Sequence, residues 1–270
     1  MEEEHLWAAL EERDAVIFME NNFEIFIDPE GDTHNYYELE INAKKTFWDL
    51  MLTQPYRTNG KPIDAWDIRG LKIGVDLQGT LNDPSDTDEG WTLEVAIPFE
   101  VLNETSEQNL PSDGSQWKLN FSRVEWKTDA VDGGYVKQKD PQTGESFPED
   151  NWVWSPQGVI DMHLPERWGI IQFSTTPPGS DVSFSTPEDL LHEWVLRQLY
   201  YRQVEYHEAN GSFTDNLNDL DAQNLFDDHG IQPEVQIKLL GNSYLMSLTT
   251  DMLDNILYIA DDSRAWKEEK

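Results

Sequence analysis

The sequence predicts a mainly β protein, in which an antiparallel β-sandwich is followed by a small α+β unit with one long helix. Three observations predict this fold class. Apolar and polar residues alternate with a period of two before residue 174, turn-forming residues separate these runs, and a helical period begins after residue 186. We therefore divide the chain into a sandwich over 1–174, a linker over 175–186 and an α+β appendage over 187–270.

Five runs in the first unit have the pattern of half-buried strands, with one apolar and one polar face. They lie at 23–27, 37–42, 71–75, 93–97 and 117–123. Clusters rich in Gly, Pro, Asn and Asp separate them, as at 28–32 and 82–85. Many short strands with such turns, and hardly any helical pattern, are typical of an antiparallel sandwich.

The second unit begins with a strong helix signal. Thr186 and Pro187 fit the N-cap and the first position of a helix, and apolar residues then recur at helical spacing until Asn210 and Gly211 end the pattern. This pattern predicts a helix of about five or six turns. Runs at 234–240, 244–248 and 256–259 predict a small meander that packs against it.

The composition limits the partners and the chemistry. The 270 residues include 53 acidic and 19 basic side chains, which give a formal net charge of −34. Such a surface repels phosphate groups, and no apolar run is long enough to span a bilayer, so we expect no nucleic-acid partner and no membrane insertion. Cysteine is absent, which rules out thiolate chemistry and disulfides. No nucleotide-binding motif occurs, and no organic cofactor is predicted.

Polar residues on the second face of the strands are candidates for a binding site. Glu24, Glu40 and Asn42 alternate with the apolar residues of the first two strands, and Asn120 and Arg123 lie in the fifth. Carboxylate, amide and guanidinium groups at strand spacing suit the ring of hydroxyl groups of a sugar. An ordinary solvent-facing sheet explains the same pattern.

Aromatic residues after the strands add to this hypothesis. The segment 151–158 contains Trp152 and Trp154 near Pro and Gly. We expect that the two rings do not share one core, and that one is exposed to a ligand. His163 follows as a candidate hydrogen-bonding residue. The alternative is that Trp154 closes the end of the sandwich and that His163 is structural.

An acidic turn suggests a metal. Asp28, Glu30 and Asp32 have the spacing with which a calcium loop begins, although Gly31 comes too early for an EF-hand. Asp28 and Asp32 are therefore candidate ligands of a structural calcium ion. Turns in which Asp side chains bind backbone amides explain the pattern equally well.

Five segments occur in an order that resembles a known family. They are FEIFIDP at 23–29, YELEIN at 37–42, GWTLEVAIP at 90–98, WKLNFSR at 117–123 and PERWG at 165–169. Together, over about residues 5–174, they resemble the family 9-like carbohydrate-binding modules, β-sandwiches of the DOMON type. The resemblance implies calcium-stabilised binding of plant-type polysaccharides such as xylan or cellulose without cleavage, in association with enzymes such as endo-xylanases. It also implies a secreted, periplasmic or cell-surface location.

The resemblance transfers only in part to single residues. Glu24 falls on the family's sugar-binding glutamate, whereas Glu40 falls near a sugar-binding arginine. Phe18 and Met162 stand where better-known members clamp a sugar between two Trp residues, so we expect a weakened clamp, or one rebuilt with Trp154 or His163. The family's opening strands are missing before residue 4. The resemblance therefore implies an N-terminal truncation, with which a signal peptide would have been lost.

Two other functions stay open beside non-catalytic carbohydrate binding. A glycoside hydrolase needs only two carboxyl groups about 5–10 Å apart, without fixed spacing in sequence, and Glu24 and Glu125 are candidates. An assembly module would bind a basic protein partner through its acidic surface.

Overall fold

The computed structural model describes residues 1–103 and 110–270, which form a mainly β protein with antiparallel sheets and one long helix. This confirms the predicted fold class. The strands of the first unit are β1 (Asn22–Asp28), β2 (Tyr36–Asn42), β3 (Phe47–Leu52), β4 (Pro62–Ile63), β5 (Lys72–Gln78), β6 (Gly90–Ala96), β7 (Gln116–Glu125), β8 (Thr128–Val131), β9 (Gly134–Lys137), β10 (Asp150–Val153) and β11 (Gly169–Gln172). Short 3-10 helices lie at Ile17–Met19, Tyr56–Thr58, Phe99–Asn103 and Pro165–Arg167.

The main sheet has seven strands. Its order is β10-β7-β1-β2-β3-β4, and every pairing is antiparallel. The long strand β7 also pairs with β11, which continues along the same edge as β10 because the two short strands bind opposite ends of β7. The hairpins β5–β6 and β8–β9 form separate two-stranded sheets.

The alternation of apolar residues places the sandwich core on one face of this sheet. Ile25 and Leu39 are buried on that face and belong to the same core as Ile73 and Val95 of the β5–β6 hairpin. All five runs predicted as strands are strands, because the period of two puts each apolar set on one side of the sheet. The polar set, with Glu24, is thereby turned to the outer face.

The second unit combines helices with a four-stranded meander. It contains α1 (Leu190–Asn210), α2 (Ala222–His229), β12 (Glu234–Leu239), β13 (Tyr244–Thr249), β14 (Asn255–Ala260) and β15 (Ala265–Glu269). Val195 and Leu199 of α1 are fully buried against Met246 and Leu248 of the meander. Helix α1 ends as predicted, at Gly211, whose φ of 72° lies in the left-handed region that glycine tolerates.

The predicted start of this helix was wrong. Asp189, and not Thr186, occupies the N-cap position, and helix α1 begins at Leu190. The Asp189 side chain makes no capping hydrogen bond because its carboxylate binds Lys267 of β15 at 2.6 Å. A tertiary ion pair thus competes with the local capping pattern.

The two units are in contact. Arg264 Nε lies 2.9 Å from an Asp32 carboxylate oxygen, and the Thr33 hydroxyl donates to the Ser263 carbonyl at 2.9 Å. Residues of the predicted linker also bind β11, since the Ser185 amide donates to Gln172. The segment boundaries at 174 and 186 stay a prediction. Neither helix in the described residues has the length and apolarity needed to cross a bilayer.

Candidate functional site

The outer face of the main sheet brings three glutamates together. Glu24 of β1 lies directly opposite Glu40 of β2, and in the next row Phe26 lies opposite Glu38. Glu40 in turn lies opposite Trp48 of β3. Directly paired residues of antiparallel strands project to the same side with Cβ atoms about 5 Å apart. The strand register therefore builds a floor of carboxyl groups beside aromatic rings.

This floor belongs to a cavity of about 610 Å³. The volume lies within the range of small-molecule sites. Phe18, Tyr56 and the segment 156–163 contribute to its walls, and Tyr56 contacts His163 of that segment. The residues that line the cavity are Phe18, Glu24, Phe26, Glu38, Glu40, Trp48, Tyr56, Val124, Glu149, Asn151, Val153, Pro156, Gln157, Gly158, Val159, Ile160, Asp161, Met162 and His163.

Side-chain hydrogen bonds hold the loop 155–163 in place beside the cavity. Asn120 of β7 clamps the Ser155 backbone, since its amide nitrogen donates to the Ser155 carbonyl at 3.0 Å and its oxygen accepts the Ser155 N–H at 2.8 Å. The Trp168 indole donates to the Met162 carbonyl at 2.8 Å. Arg57 donates to the His163 carbonyl at 2.9 Å. A segment without regular structure is thus held in place over the sheet.

Burial raises the pKa of each of the three floor carboxyl groups. It raises the pKa of Glu24 to about 7, while the nearby Ser122 hydroxyl opposes the shift. Burial and the charge of Glu24 raise the pKa of Glu38 to about 8. Burial and both neighbouring charges also raise the pKa of Glu40 well above its ordinary range. Near neutral pH this floor therefore presents both carboxyl O–H donors and carboxylate acceptors.

His163 adds a neutral polar edge. Its Nδ1 lies 2.9 Å from the Tyr36 hydroxyl, and its Nε2 lies 3.9 Å from a Glu38 carboxylate oxygen. Burial and the nearby charge of Arg57 lower the pKa of His163 to about 4, so the imidazole is neutral at pH 7. The short separation from Glu38 is for this reason not an ion pair. The Tyr56 ring packs edge-on against the imidazole, with centroids 4.4 Å apart.

Four of the residues predicted as ligand-binding line the cavity, namely Phe18, Glu24, Glu40 and His163. Two others have structural contacts beside it. Asn42 is fully buried and donates to the Leu10 carbonyl at 2.9 Å and to Glu20 at 2.6 Å. Asn120 holds the loop through Ser155 and does not line the cavity. The strand alternation predicted the face of these side chains but not their hydrogen-bond partners.

Arg123 and Trp154 lie outside the cavity. Arg123 is paired with Phe23 of β1, whose side chain packs on the inner face, and its guanidinium lies 3.2 Å from a Glu3 oxygen. Trp152 and Trp154 are 52% and 51% exposed. The two rings therefore do not share one core, and both are exposed outside the cavity. The Trp154 ring packs so closely on Gly169 that a Cβ there would lie 2.4 Å from it.

Sequence reasoning missed further lining residues as site candidates. Glu38 follows the same alternation as Glu40 and could have been included with it. Trp48 joins the site only through the pairing of β3 with β2, which the sequence does not specify. Tyr56 lies in a 3-10 turn, where no periodic pattern marks a functional side chain.

The acidic turn after β1 does not fit the predicted calcium site. The Asp28 carboxylate accepts the amides of Gly31 at 2.7 Å and Thr33 at 2.9 Å, and Asp32 accepts the His34 amide and binds Arg264. Burial and the charge of Asp32 raise the pKa of Asp28 to about 7. Over residues 1–103 and 110–270, no group of three or more His, Asp or Glu side chains is arranged to hold a metal ion. Asp28 acts as a clamp within the turn.

Comparisons with known proteins give little beyond the geometry. No protein-family model matches the chain, and no curated protein matches it. A solved structure that matches is that of a "putative carbohydrate-binding protein" from Bacteroides uniformis, which is 22% identical with a TM-score of 0.39. The match covers 60% of this chain and 65% of the other. This similarity is too low to carry an argument, and membership of the family 9-like modules stays a prediction.

Proposed function

We propose that this protein binds carbohydrate, without cleaving it, in the cavity on the outer face of the main sheet. The observation that carries the proposal is the pairing of aromatic rings with buried carboxyl groups on one rigid sheet. Trp48 and Phe18 offer ring faces, and Glu24 and Glu38 offer hydrogen-bond acceptors in the same space. A sugar ring has apolar C–H faces and an equatorial set of hydroxyl groups, and it needs both kinds of partner.

The resemblance noted in the sequence supports a more specific form of the proposal. A module of this kind would recognise plant-type polysaccharides such as xylan or cellulose, or their oligosaccharides. It would serve polysaccharide degradation outside the cytoplasm, secreted, in a periplasm or on a cell surface. The cavity suits a chain end or a short oligosaccharide better than a flat crystalline surface, because the segment 156–163 and aromatic side chains line it beside the sheet.

Calorimetric titration of the full chain with soluble xylo-, cello-, manno- and amino-oligosaccharides tests the proposal. We expect saturable binding of at least one sugar, and a loss of at least about tenfold in affinity in Trp48→Ala and Tyr56→Ala. Trp152→Ala is the matched control, because this half-exposed ring lies outside the cavity. The absence of binding by every sugar would sink the proposal, and so would equal losses in Trp152→Ala and Trp48→Ala.

A glycoside hydrolase is the second candidate, and one observation favours it. Glu24 and Glu40 lie directly opposite each other, and the raised pKa of Glu24 suits a general acid near neutral pH. This function predicts turnover of an aryl glycoside that Glu24→Gln abolishes and Glu125→Gln leaves unchanged, because Glu125 lies outside the cavity. Turnover that persists in Glu24→Gln would exclude Glu24 as a catalytic residue.

A further inference from the structure

Acidic side chains line the cavity on the outer face, and none of its described lining residues is basic enough to carry a positive charge at neutral pH. Of the described residues that line it, none is Lys or Arg, and five carry carboxyl groups: Glu24, Glu38, Glu40, Glu149 and Asp161. Arg57 lies behind the wall and is engaged elsewhere, with the His163 carbonyl at 2.9 Å and with Glu166 at 3.0 Å. The positive charge that would balance this floor is therefore not supplied by the lining side chains.

The three floor glutamates are deeply buried as well as uncompensated. Glu24 and Glu38 are each only 4% exposed, and Glu40 is 2% exposed. Among the described residues, a backbone N–H donates to one of the three: that of Phe18, which donates to Glu40 at 2.8 Å. Buried charges in proteins are usually paired or hydrogen-bonded, because desolvation without a partner is unfavourable. Glu38 and Glu40 interact with each other through a side-chain hydrogen bond. The described lining of the floor therefore lacks a positive charge, which a cationic ligand would supply.

His163 does not fill this role. Burial and the nearby charge of Arg57 lower the pKa of its imidazole to about 4, so it carries no charge at neutral pH. The charge of Glu149 acts on Lys137, but the Lys137 ammonium lies over the Trp126 ring, 3.1 Å from the centroid. The protein thus places its own cations around this site and not inside it.

The aromatic rings in the walls of the cavity also attract positively charged groups. Phe18 and Trp48 lie with their rings nearly parallel, with centroids 6.5 Å apart and an interplanar angle of 29°. Tyr56 stands across the imidazole of His163. The face of an aromatic ring is negative and attracts ammonium groups, most strongly for Trp. Aromatic rings beside buried carboxyl groups therefore favour a positively charged ligand. Aromatic rings without carboxyl groups would stack on neutral sugars as well.

We propose that the ligand of this cavity carries a protonated amine. The inference rests on the proposed function, and within the carbohydrates the matching class is an oligosaccharide of glucosamine units with free amino groups at C2. An ammonium group brings three N–H donors together with a positive charge to Glu24, Glu38 and Glu40. The hydroxyl group of a neutral sugar brings a donor but no positive charge, so it does not stabilise the ionised form of these carboxyl groups.

Three trisaccharides with the same β-1,4-linked ring framework test this inference. Glucosamine trisaccharide, its tri-N-acetyl form and cellotriose differ only in carrying an ammonium, an acetamido or a hydroxyl group at C2. In calorimetry of the full chain at pH 6.5, we expect the glucosamine form to bind at least about tenfold more tightly than the other two. Equal affinities would overturn the inference and leave the proposed function intact. Failure of all sugars to bind, or binding of spermidine alone, would overturn both.

Charge-removing variants give the second arm of the experiment. Glu24→Gln and Glu38→Gln keep the shape and the hydrogen-bonding capacity of the floor, and we expect each to reduce the preference for the glucosamine form to less than about a third. Glu94→Gln, on an exposed position of β6, controls for the general acidity of the surface and should leave the preference unchanged. An equal loss in Glu94→Gln would overturn the inference.

Proton release gives a readout that needs no variant. An incoming ammonium group stabilises the ionised carboxylates. At pH 5.5 the amino groups of the free sugar are already protonated, so binding should expel protons from the floor carboxyl groups, and the measured heat should differ between buffers of different ionisation enthalpy. Cellotriose should show no such dependence on the buffer. A glucosamine trisaccharide whose binding heat at pH 5.5 is equal in acetate and MES buffers would contradict the proposal.

Discussion

Two cavities lined by described residues each contain five carboxyl groups but differ in the cations beside them. The cavity on the outer sheet face has five carboxyl groups and, among its described lining residues, no Lys or Arg. A second cavity, of about 440 Å³, lies between the sandwich and α1. It also has five carboxyl groups, from Glu30, Asp32, Glu166, Asp189 and Glu193, but these face Lys118, Arg197, Arg264 and Lys267.

The pKa shifts of the buried glutamates follow this difference. Burial would raise the pKa of Glu166 in the second cavity, but the charges of Arg197 and Arg57 outweigh it and the pKa is lowered. In the first cavity burial is not opposed by a cation, and the pKa of Glu38 rises to about 8. Glu166, whose charge is balanced by arginines of both units, stabilises the contact between the units. Glu38, which has no cation beside it among the described residues, is available to interact with a ligand.

The largest change in stability is expected from removing a cation that balances Glu166. Arg57→Met removes a guanidinium 3.0 Å from Glu166 and leaves that carboxylate buried with less positive charge around it. We expect a loss of about 2 kcal/mol or more in the free energy of unfolding, measured in urea at pH 7. Lys44→Met is the control, because it breaks an ion pair with Glu11, which is 73% exposed. A loss no larger than that of the control would contradict the structural role of the pair.

A gain in stability is expected when one carboxyl group of the first cavity, that of Glu38, is replaced by an amide. Glu38 has an ordinary pKa of 4.5, which is raised to about 8 in the folded protein, so between these pH values the folded state binds more protons than the unfolded one. Its contribution to stability is therefore lost as pH rises through this window. Glu38→Gln removes that loss and should stabilise the protein by about 1–3 kcal/mol at pH 8.5, with little difference near pH 4.5.

Urea unfolding of wild type and Glu38→Gln across this pH range gives the measurement. The difference between the two proteins isolates the cavity, where Glu38 faces Glu24, Glu40 and His163, from the titration of the other acids. Neighbouring carboxyl groups share the effect, so the transition should be broad. A variant that is less stable than wild type at pH 8.5 would show that Glu38 is ionised and well compensated.

A smaller effect is expected from the tyrosine that links the second unit to the wall of the cavity. The Tyr201 hydroxyl of α1 donates to Glu166, which binds Arg57, and Arg57 in turn holds the His163 carbonyl. Tyr201→Phe should reduce the free energy of unfolding by about 1 kcal/mol and sugar affinity by less than threefold. Urea unfolding and calorimetry check both effects. A large loss of affinity without a loss of stability would mean that α1 takes part in binding directly.

The smallest effect on binding is expected at Trp154. This ring was the strongest aromatic candidate in the sequence, but it packs on Gly169 and Phe121, away from the cavity. Trp154→Ala should leave the affinity for any bound sugar within about twofold, against a loss of at least about tenfold in Trp48→Ala. The reverse order in calorimetry would place the site on the Trp152–Trp154 side.

Local patterns account for what could be predicted from the sequence. Alternation predicted the five strands and placed Glu24 and Glu40 on the outer face, because the side of a strand on which a residue lies depends only on its position in the run. The short helix α2 was missed although its buried residues Ala222, Leu225 and Phe226 have helical spacing, and the charged strand β15 was missed because its exposed end carries consecutive charged residues. Trp48 and Tyr56 depend on strand register and on a turn, and the functions of Asn42, Asn120 and Asp28 depend on partners distant in sequence. The balance of charge in each cavity could not be predicted either, because it depends on which residues distant in sequence meet in the folded protein.

Carboxyl-carbon NMR of protein labelled at glutamate, titrated with the glucosamine trisaccharide, tests the central claim most directly. The claim is that the uncompensated glutamates meet a ligand and the compensated ones do not. The account predicts that the signals of Glu24 and Glu38, assigned from the Gln variants, titrate above pH 6 and move when the sugar is added, while that of Glu166 titrates below its ordinary value and does not move. Signals of Glu24 and Glu38 that titrate near 4.5 and ignore the sugar would contradict it.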